Sequence, residues 1–314
     1  MDIGYSNEIR FVGFRTVQLE DPVSQKLMKA VIFYPSETAI TPTEIGMVKL
    51  YAARDIPVKI GHYPLVLFSH GNGGGLFSHH DFAIFLAKNN YLVAMIEHPE
   101  DNFKDSSGLG TDRVWIGRNL QVTALLDYLL QDASLSANID TNKIGVAGFS
   151  AGAYTALLML GAKPKFALLL NYCQALPTSV LCEQIDILLS KPPLIAKGDQ
   201  RIRAAFVMSP VAAFFDKQGL SEVLQPVYLV AAEKDTVIPL QYNAAYIKTI
   251  LSSLVQYTVI PNADHFVFLS PCSTAMRSEI PSICTDSVNV NRNKVHEFIN
   301  QEALHFFNDQ FNLH

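Results

Sequence analysis

Residues 144 to 160 constrain the chain more than any other stretch. Ile144-Gly145-Val146-Ala147 reads as a short apolar strand, it runs into Gly148-Phe149-Ser150-Ala151-Gly152, and helix-forming residues follow at once in Ala153-Tyr154-Thr155-Ala156-Leu157-Leu158-Met159-Leu160. A turn this sharp presses the serine backbone into a strained conformation, and flanking residues without a Cβ let strand and helix pass close to each other. Strand, Gly-x-Ser-x-Gly and helix in that order are the context of a nucleophile elbow, which lifts Ser150 off the end of a sheet. The competing reading is a small-residue turn that merely packs a helix on a strand. Partners for Ser150 elsewhere decide between the two.

The rest of the chain supplies the sheet such an elbow needs. Ile9 to Leu19 and Leu27 to Tyr34 carry β-branched and aromatic residues on either side of a polar turn, which predicts an antiparallel hairpin at the sheet edge. Residues 36 to 62 show no clear period and read as a long excursion with one helical turn. Pro64 to Ser69 is a continuous apolar run of the kind buried on both faces, and it ends in His70-Gly71-Asn72-Gly73-Gly74-Gly75. Ser78 is placed to cap a helix through Phe82 and Leu86, and the strand Tyr91 to Ile96 closes a βαβ unit. A charged loop from Glu100 to Thr111 precedes a helix with Val122, Leu125, Leu126 and Leu129 at helical spacing. Strands recur at Arg203 to Met208, Val227 to Ala231 and Tyr257 to Ile260, with a helical scrap at Leu220 to Leu224. A helix is expected from Gln241 to Ser252, and another from Val295 to Phe311. Residues 163 to 202 break the alternation and read as an insertion over the strand ends, a lid or pocket wall. With no linker and no repeat, residues 1 to 314 read as one α/β domain with a mostly parallel, doubly wound sheet.

Ser150 needs a base and a group to hold that base, because a serine hydroxyl is a weak nucleophile near neutral pH. In doubly wound sheets the carboxyl ends of the strands share one crevice. Asp235 follows one late strand, in Glu233-Lys234-Asp235, and His265 follows the next, in Asn262-Ala263-Asp264-His265-Phe266. The chain order Ser150, Asp235, His265 is the one this architecture uses, with Glu233 and Asp264 as alternative acids. A helix cap for Asp235 and a plain loop residue for His265 are the competing assignments. For a developing oxyanion the backbone N–H of Ala151 is one donor, and Asn72, or failing it Gly73, is the other. The glycine run lacks both the Gly-Lys-Ser/Thr ending of a P-loop and the spacing of a dinucleotide fingerprint. His70, His79, His80 and His98 show no metal-ligand spacing; His79 and His80 read as solvated helix-start residues, His70 as a structural loop residue. No cofactor and no metal are expected.

Composition narrows the partners. Hydrophobic residues make up 49% and charged residues 17%, yet no apolar run approaches the roughly 20 residues a membrane span needs. A net charge of −5 and the absence of any Lys/Arg run argue against nucleic acid. No basic and apolar leader pattern is visible at the N-terminus. Cys173 with Cys182 and Cys272 with Cys284 form two local pairs in loop-like segments, a pattern that suggests stapling disulfides and an oxidising compartment; four buried thiols in a cytoplasmic protein are the alternative.

The chain resembles the α/β-hydrolase superfamily over nearly its whole length. More narrowly it resembles the bacterial proteins called predicted dienelactone hydrolases and their relatives, the platelet-activating-factor acetylhydrolase-like esterases. The matching pieces are Phe68-Ser69-His70-Gly71, Gly148-Phe149-Ser150-Ala151-Gly152, Glu233-Lys234-Asp235 and Asp264-His265-Phe266 followed by Pro271-Cys272. The resemblance implies a serine esterase working through an acyl-enzyme and favours an extracytoplasmic location; a small-molecule, short-chain or lipid-like ester is expected because residues 163 to 202 are apolar enough to line a pocket yet too short for a large lid domain. Dienelactone hydrolases proper use a cysteine nucleophile where this elbow has Ser150, so substrate does not follow from the family. A peptidase or acyltransferase on the same residues, and a non-catalytic binding protein on this fold, are the other readings; the latter has no need of all three polar positions.

Overall fold

The computed structural model describes residues 11–190 and 194–313, without the side chains of residues 184–186. Eleven described strands occur in chain order: β1 (Phe11–Glu20), β2 (Leu27–Ser36), β3 (Thr43–Ile45), β4 (Val48–Leu50), β5 (Ala53–Arg54), β6 (Tyr63–Ser69), β7 (Leu92–Glu97), β8 (Ile139–Phe149), β9 (Ile202–Met208), β10 (Val227–Ala232) and β11 (Leu254–Ile260). Nine of them form one sheet in the order β11-β10-β9-β8-β6-β7-β2-β1-β5. From β7 to β11 every neighbouring pair is parallel, and β2 enters antiparallel to both β7 and β1. The mostly parallel sheet with an antiparallel N-terminal hairpin is therefore as expected, apart from Ile9 and Arg10, which lie outside the described residues.

Alternate residues of the central strands face opposite layers, which is why their sequences are apolar throughout rather than alternating. Leu65 and Leu67 join a core with Val122 and Leu126 of α3 (Gly117–Gln131) and Leu157 of α4 (Ala151–Met159). Val66 and Phe68 join the other core, with Phe82 and Leu86 of α1 (His80–Lys88) and with Phe306, Phe307 and Phe311 of the long C-terminal helix. A short α2 (Asp112–Trp115) leads into α3 and buries Trp115 against Tyr154 and Phe214. Between α4 and β9 the described residues form α5 (Leu168–Ala175), a 3₁₀ turn at Val180–Gln184 and α6 (Ile185–Leu189). Then come α7 (Ala244–Ile250), α8 (Thr274–Glu279), α9 (Pro281–Cys284) and α10 (Arg292–Phe311).

Several local expectations change. Residues 43–50 form the β3–β4 hairpin, with Gly46 at φ +57° in the two-residue turn, in place of a helical turn. The helix start after the glycine loop is capped by His79, without a side-chain bond; Ser78 Oγ turns back to accept the Gly75 N–H at 3.0 Å. Residues 220–222 are a turn followed by irregular chain in place of the helical scrap, and the helix expected from Gln241 divides into a 3₁₀ turn and α7 because Asn243, at φ −123° and ψ −95°, leaves the helical region to bond Tyr172 and the Ala212 N–H. Both cysteine pairs are bridged, Cys173–Cys182 and Cys272–Cys284. They staple helical turns instead of open loops, since Cys173 lies in α5, Cys182 in the 3₁₀ turn and Cys284 at the end of α9. No described helix is long and apolar enough to cross a membrane.

Candidate active site

The chain leaves β6 toward β7 on one side and returns to β8 on the other, so β6 and β8 flank a topological switch point, where the strand ends open a crevice. Ser150 stands at the end of β8 and is the N-cap of α4, with φ 55° and ψ −119°, a conformation a residue with a Cβ adopts only under constraint. The constraint is visible on both sides. The Ser150 N–H donates to Met208 O at 2.9 Å, and its carbonyl accepts the Tyr154 N–H. A Cβ on Gly152 would lie 1.9 Å from Ser69 O, and one on Gly148 2.2 Å from Gly152 O, so backbone passes backbone at both positions. A Cβ on Gly71 would stand 3.3 Å from that of Ser150, which brings the loop after β6 directly against the serine.

The structure brings the other two residues to it. His265 Nε2 lies 3.1 Å from Ser150 Oγ, and His265 Nδ1 lies 2.7 Å from Asp235 Oδ2. All three side chains are buried, and the imidazole packs on Phe149 with ring centroids 4.7 Å apart. An ionised carboxylate only accepts, so Nδ1 carries the ring proton and Nε2 offers its lone pair to the serine hydroxyl. Asp235 is itself fixed, because its Oδ1 accepts the N–H groups of Val237 and Ile238. The alternative acids are occupied otherwise. Asp264 caps the His265 turn through the His265 N–H and holds Thr236, and Glu233 accepts the Asn262 N–H. Asp264 thus ties the Asp235 loop to the His265 loop without touching the imidazole.

Of the two oxyanion candidates in the glycine loop, Gly73 has its N–H committed to Asp101 Oδ1 at 3.1 Å. Asn72 is exposed, and among the described residues its N–H meets no acceptor. Ala151 opens α4, where the first N–H groups of a helix are unpaired and the helix dipole favours negative charge.

A buried polar cluster that spacing did not reveal supports this loop. Arg118, fully buried in α3, donates to His70 O and faces Asp101 across 3.5 Å. His70 Nε2 accepts the His98 N–H, and His98 bridges Ser69 Oγ at 2.8 Å and Gln121 Oε1 at 2.7 Å. Burial, and then the Arg118 charge, push both imidazoles well below 6.5, so they are neutral struts. The visible signal was three polar residues, Arg118, Asn119 and Gln121, on what becomes the inward face of a helix. His79 is likewise not solvated: it packs against Phe68 and Phe149, and burial lowers its pKa to about 3. His80 is half-buried, with Nδ1 2.9 Å from Phe77 O.

Sheet order, switch-point crevice and elbow make this a fold of the α/β-hydrolase type. A solved structure of a ferulic acid esterase from Streptomyces cinnamoneus is similar over 95% of this chain and 89% of that one, with TM-score 0.68 and 17% sequence identity. No family model matches the chain. No curated protein matches it either.

Proposed function

We propose that the chain is a carboxylic-ester hydrolase that works through an acyl-enzyme on Ser150. The observation that carries this reading is the unbroken relay from Asp235 through His265 to Ser150, held by three separate strand ends. His265 takes the Ser150 proton as the hydroxyl oxygen attacks the ester carbonyl. Asp235 keeps the ring oriented and stabilises the imidazolium. The carbonyl oxygen, negative in the tetrahedral intermediate, is received by the backbone N–H groups of Ala151 and Asn72. Collapse expels the alkoxide, which takes the proton from His265; water then repeats the sequence in reverse on the acyl-enzyme and frees the acid. Residues of this chain suffice for every step. The esterase of similar fold and the motif resemblance to platelet-activating-factor acetylhydrolase-like esterases both support a small-molecule ester as substrate. The two disulfides support an extracytoplasmic location.

The test is hydrolysis of p-nitrophenyl esters together with labelling by a fluorophosphonate probe. Ser150→Ala is expected to lower kcat by about 10⁴- to 10⁶-fold and to abolish labelling. Wild-type protein that neither turns over an ester nor labels at Ser150 overturns the reading.

A further inference from the structure

The two loops that meet at Ser150 and His265 continue into a single cavity of about 630 Å³. One wall is the glycine loop: Gly71 abuts Ser150, and Gly73 to Gly75 line the cavity. Another begins at Leu269, directly after the turn His265–Phe268. The remaining walls come from elements outside the main sheet: Met47 and Val48 from the β3–β4 hairpin, and Met276 and Ile283 from the segment that the Cys272–Cys284 bridge closes. Among the described residues, none between 163 and 202 lines this cavity.

Its chemistry is apolar. Most polar side chains in the wall are engaged through at least one atom, Ser78 Oγ with the Gly75 N–H, Ser270 Oγ with Asp81, and His80 Nδ1 with Phe77 O. Lys104 sits at the rim, 4.8 Å over the Phe103 ring and 3.8 Å from Glu97. An anionic group would therefore find only a cation that already has partners. Phe103 and Met47 leave 68% and 42% of their surfaces in water at this position, apolar area that a bound apolar group would cover. The volume lies within the range of about 300–1,000 Å³ over which small-molecule pockets bury their ligands.

We infer that this cavity binds an uncharged apolar arm of the ester, an alkyl chain or a ring, while the carbonyl sits at Ser150. The inference rests on the hydrolase reading above and names the specificity-determining surface of that site. The arm can belong to the acyl or to the alcohol side, and two substrate series separate these: p-nitrophenyl esters from acetate to octanoate, and acetate esters from methanol to octanol.

In one series kcat/KM is expected to rise up to about fourfold per added methylene over the first several carbons. Met47→Trp, which fills the cavity from the hairpin, should lower the long-to-short ratio of kcat/KM by about tenfold or more, and Ile283→Trp should do so from the opposite wall. Leu224→Trp, exposed and outside the cavity, leaves that ratio unchanged. Calorimetry on Ser150→Ala measures binding without turnover, and the octyl or octanoyl ester is expected to bind about tenfold or more tighter than its short homologue. Two flat series overturn the cavity assignment, as does a long-to-short ratio that stays within about twofold in both folded tryptophan variants. Equal binding of long and short esters by Ser150→Ala overturns it too. Hydrolysis that survives Ser150→Ala instead overturns the hydrolase reading, while the calorimetric comparison still judges the cavity.

Discussion

Asp235 is held by both of its oxygens, and that arrangement sets what an amide does in its place. Oδ1 accepts two backbone N–H groups and Oδ2 faces His265 Nδ1, so Asp235→Asn keeps its one oxygen toward the backbone and turns its NH₂ toward the ring. The imidazole must then accept at Nδ1 and carry its proton on Nε2, where it can no longer take the serine proton. Asp235→Asn is expected to lower kcat by about 10⁴-fold with the fold intact, checked by steady-state kinetics beside circular dichroism. A loss under about tenfold would mean that another group orients the ring. At this scale the sequence was readable where chain order and strand ends carry the information: Ser150, Asp235 and His265 all converge. What chain order could not do is exclude the alternative acids, since only the three-dimensional path of the loops sends Asp235 to the imidazole and Asp264, its neighbour in sequence, to Thr236. The placement of His79 depends in the same way on the helical phase of α1, which turns the residue toward Phe68 and away from solvent.

At the scale of elements, α10 and α1 are fastened to the turn that carries His265 by one imidazole. His296 Nδ1 lies 2.6 Å from Asp81 Oδ2 and Nε2 lies 2.8 Å from Val267 O, two residues past His265. Both partners are acceptors, so both nitrogens need a proton and the ring is an imidazolium. Burial alone would lower its pKa, but the Asp81 charge and hydrogen bond more than offset this and raise it above 6.5. For Asp81, burial opposes ionisation, and the His296 charge and hydrogen bond hold the carboxyl far below 3.8. His79 and His80 from the α1 side and Arg292 of α10 also act on the pair, and Ser270 and Asn300 complete the Asp81 shell. The raised histidine contributes stability that is complete below pH 6.5 and is lost as pH rises through its native value. The depressed carboxyl contributes stability that is complete above 3.8 and is lost as pH falls through its own native value. Urea unfolding of wild type and His296→Gln is therefore expected to differ most between about pH 4 and 6.5 and to converge toward pH 9. A difference that stays constant over that span would show that the ring is not charged. Elements with a continuous apolar run, such as β6, or a long helical period, such as α3 and α10, were legible in the sequence. The β3–β4 hairpin was not, because strands of three residues carry too few alternations to stand out, although Ile45-Gly46-Met47-Val48 holds the turn signal.

Over the whole molecule, the central sheet and the apolar layers on its two faces hold Ser150, His265 and Asp235 together, while pieces outside that sheet are secured by covalent bridges. The Cys272–Cys284 bridge spans 12 residues and closes the segment that walls the cavity; the Cys173–Cys182 bridge spans 9 and joins α5 to the 3₁₀ turn of the insertion. Loop-closure entropy for spans this short corresponds to about 2.5–3 kcal/mol each. A chain of this length has a large unfolding entropy, so each bridge shifts Tm by only about 4–5 °C. What distinguishes the bridges is where the loosened segment lies. Opening Cys272–Cys284 frees a wall of the cavity while Ser150, His265 and Asp235 keep their strand ends, whereas opening Cys173–Cys182 loosens α5, whose Tyr172 packs into the core and accepts the Asn243 amide. Paired serine replacements are expected to lower Tm comparably by calorimetry. Only Cys272→Ser/Cys284→Ser should flatten the dependence of kcat/KM on ester chain length. Equal flattening by both pairs would mean that chain-length selection is a property of general rigidity and not of the stapled wall.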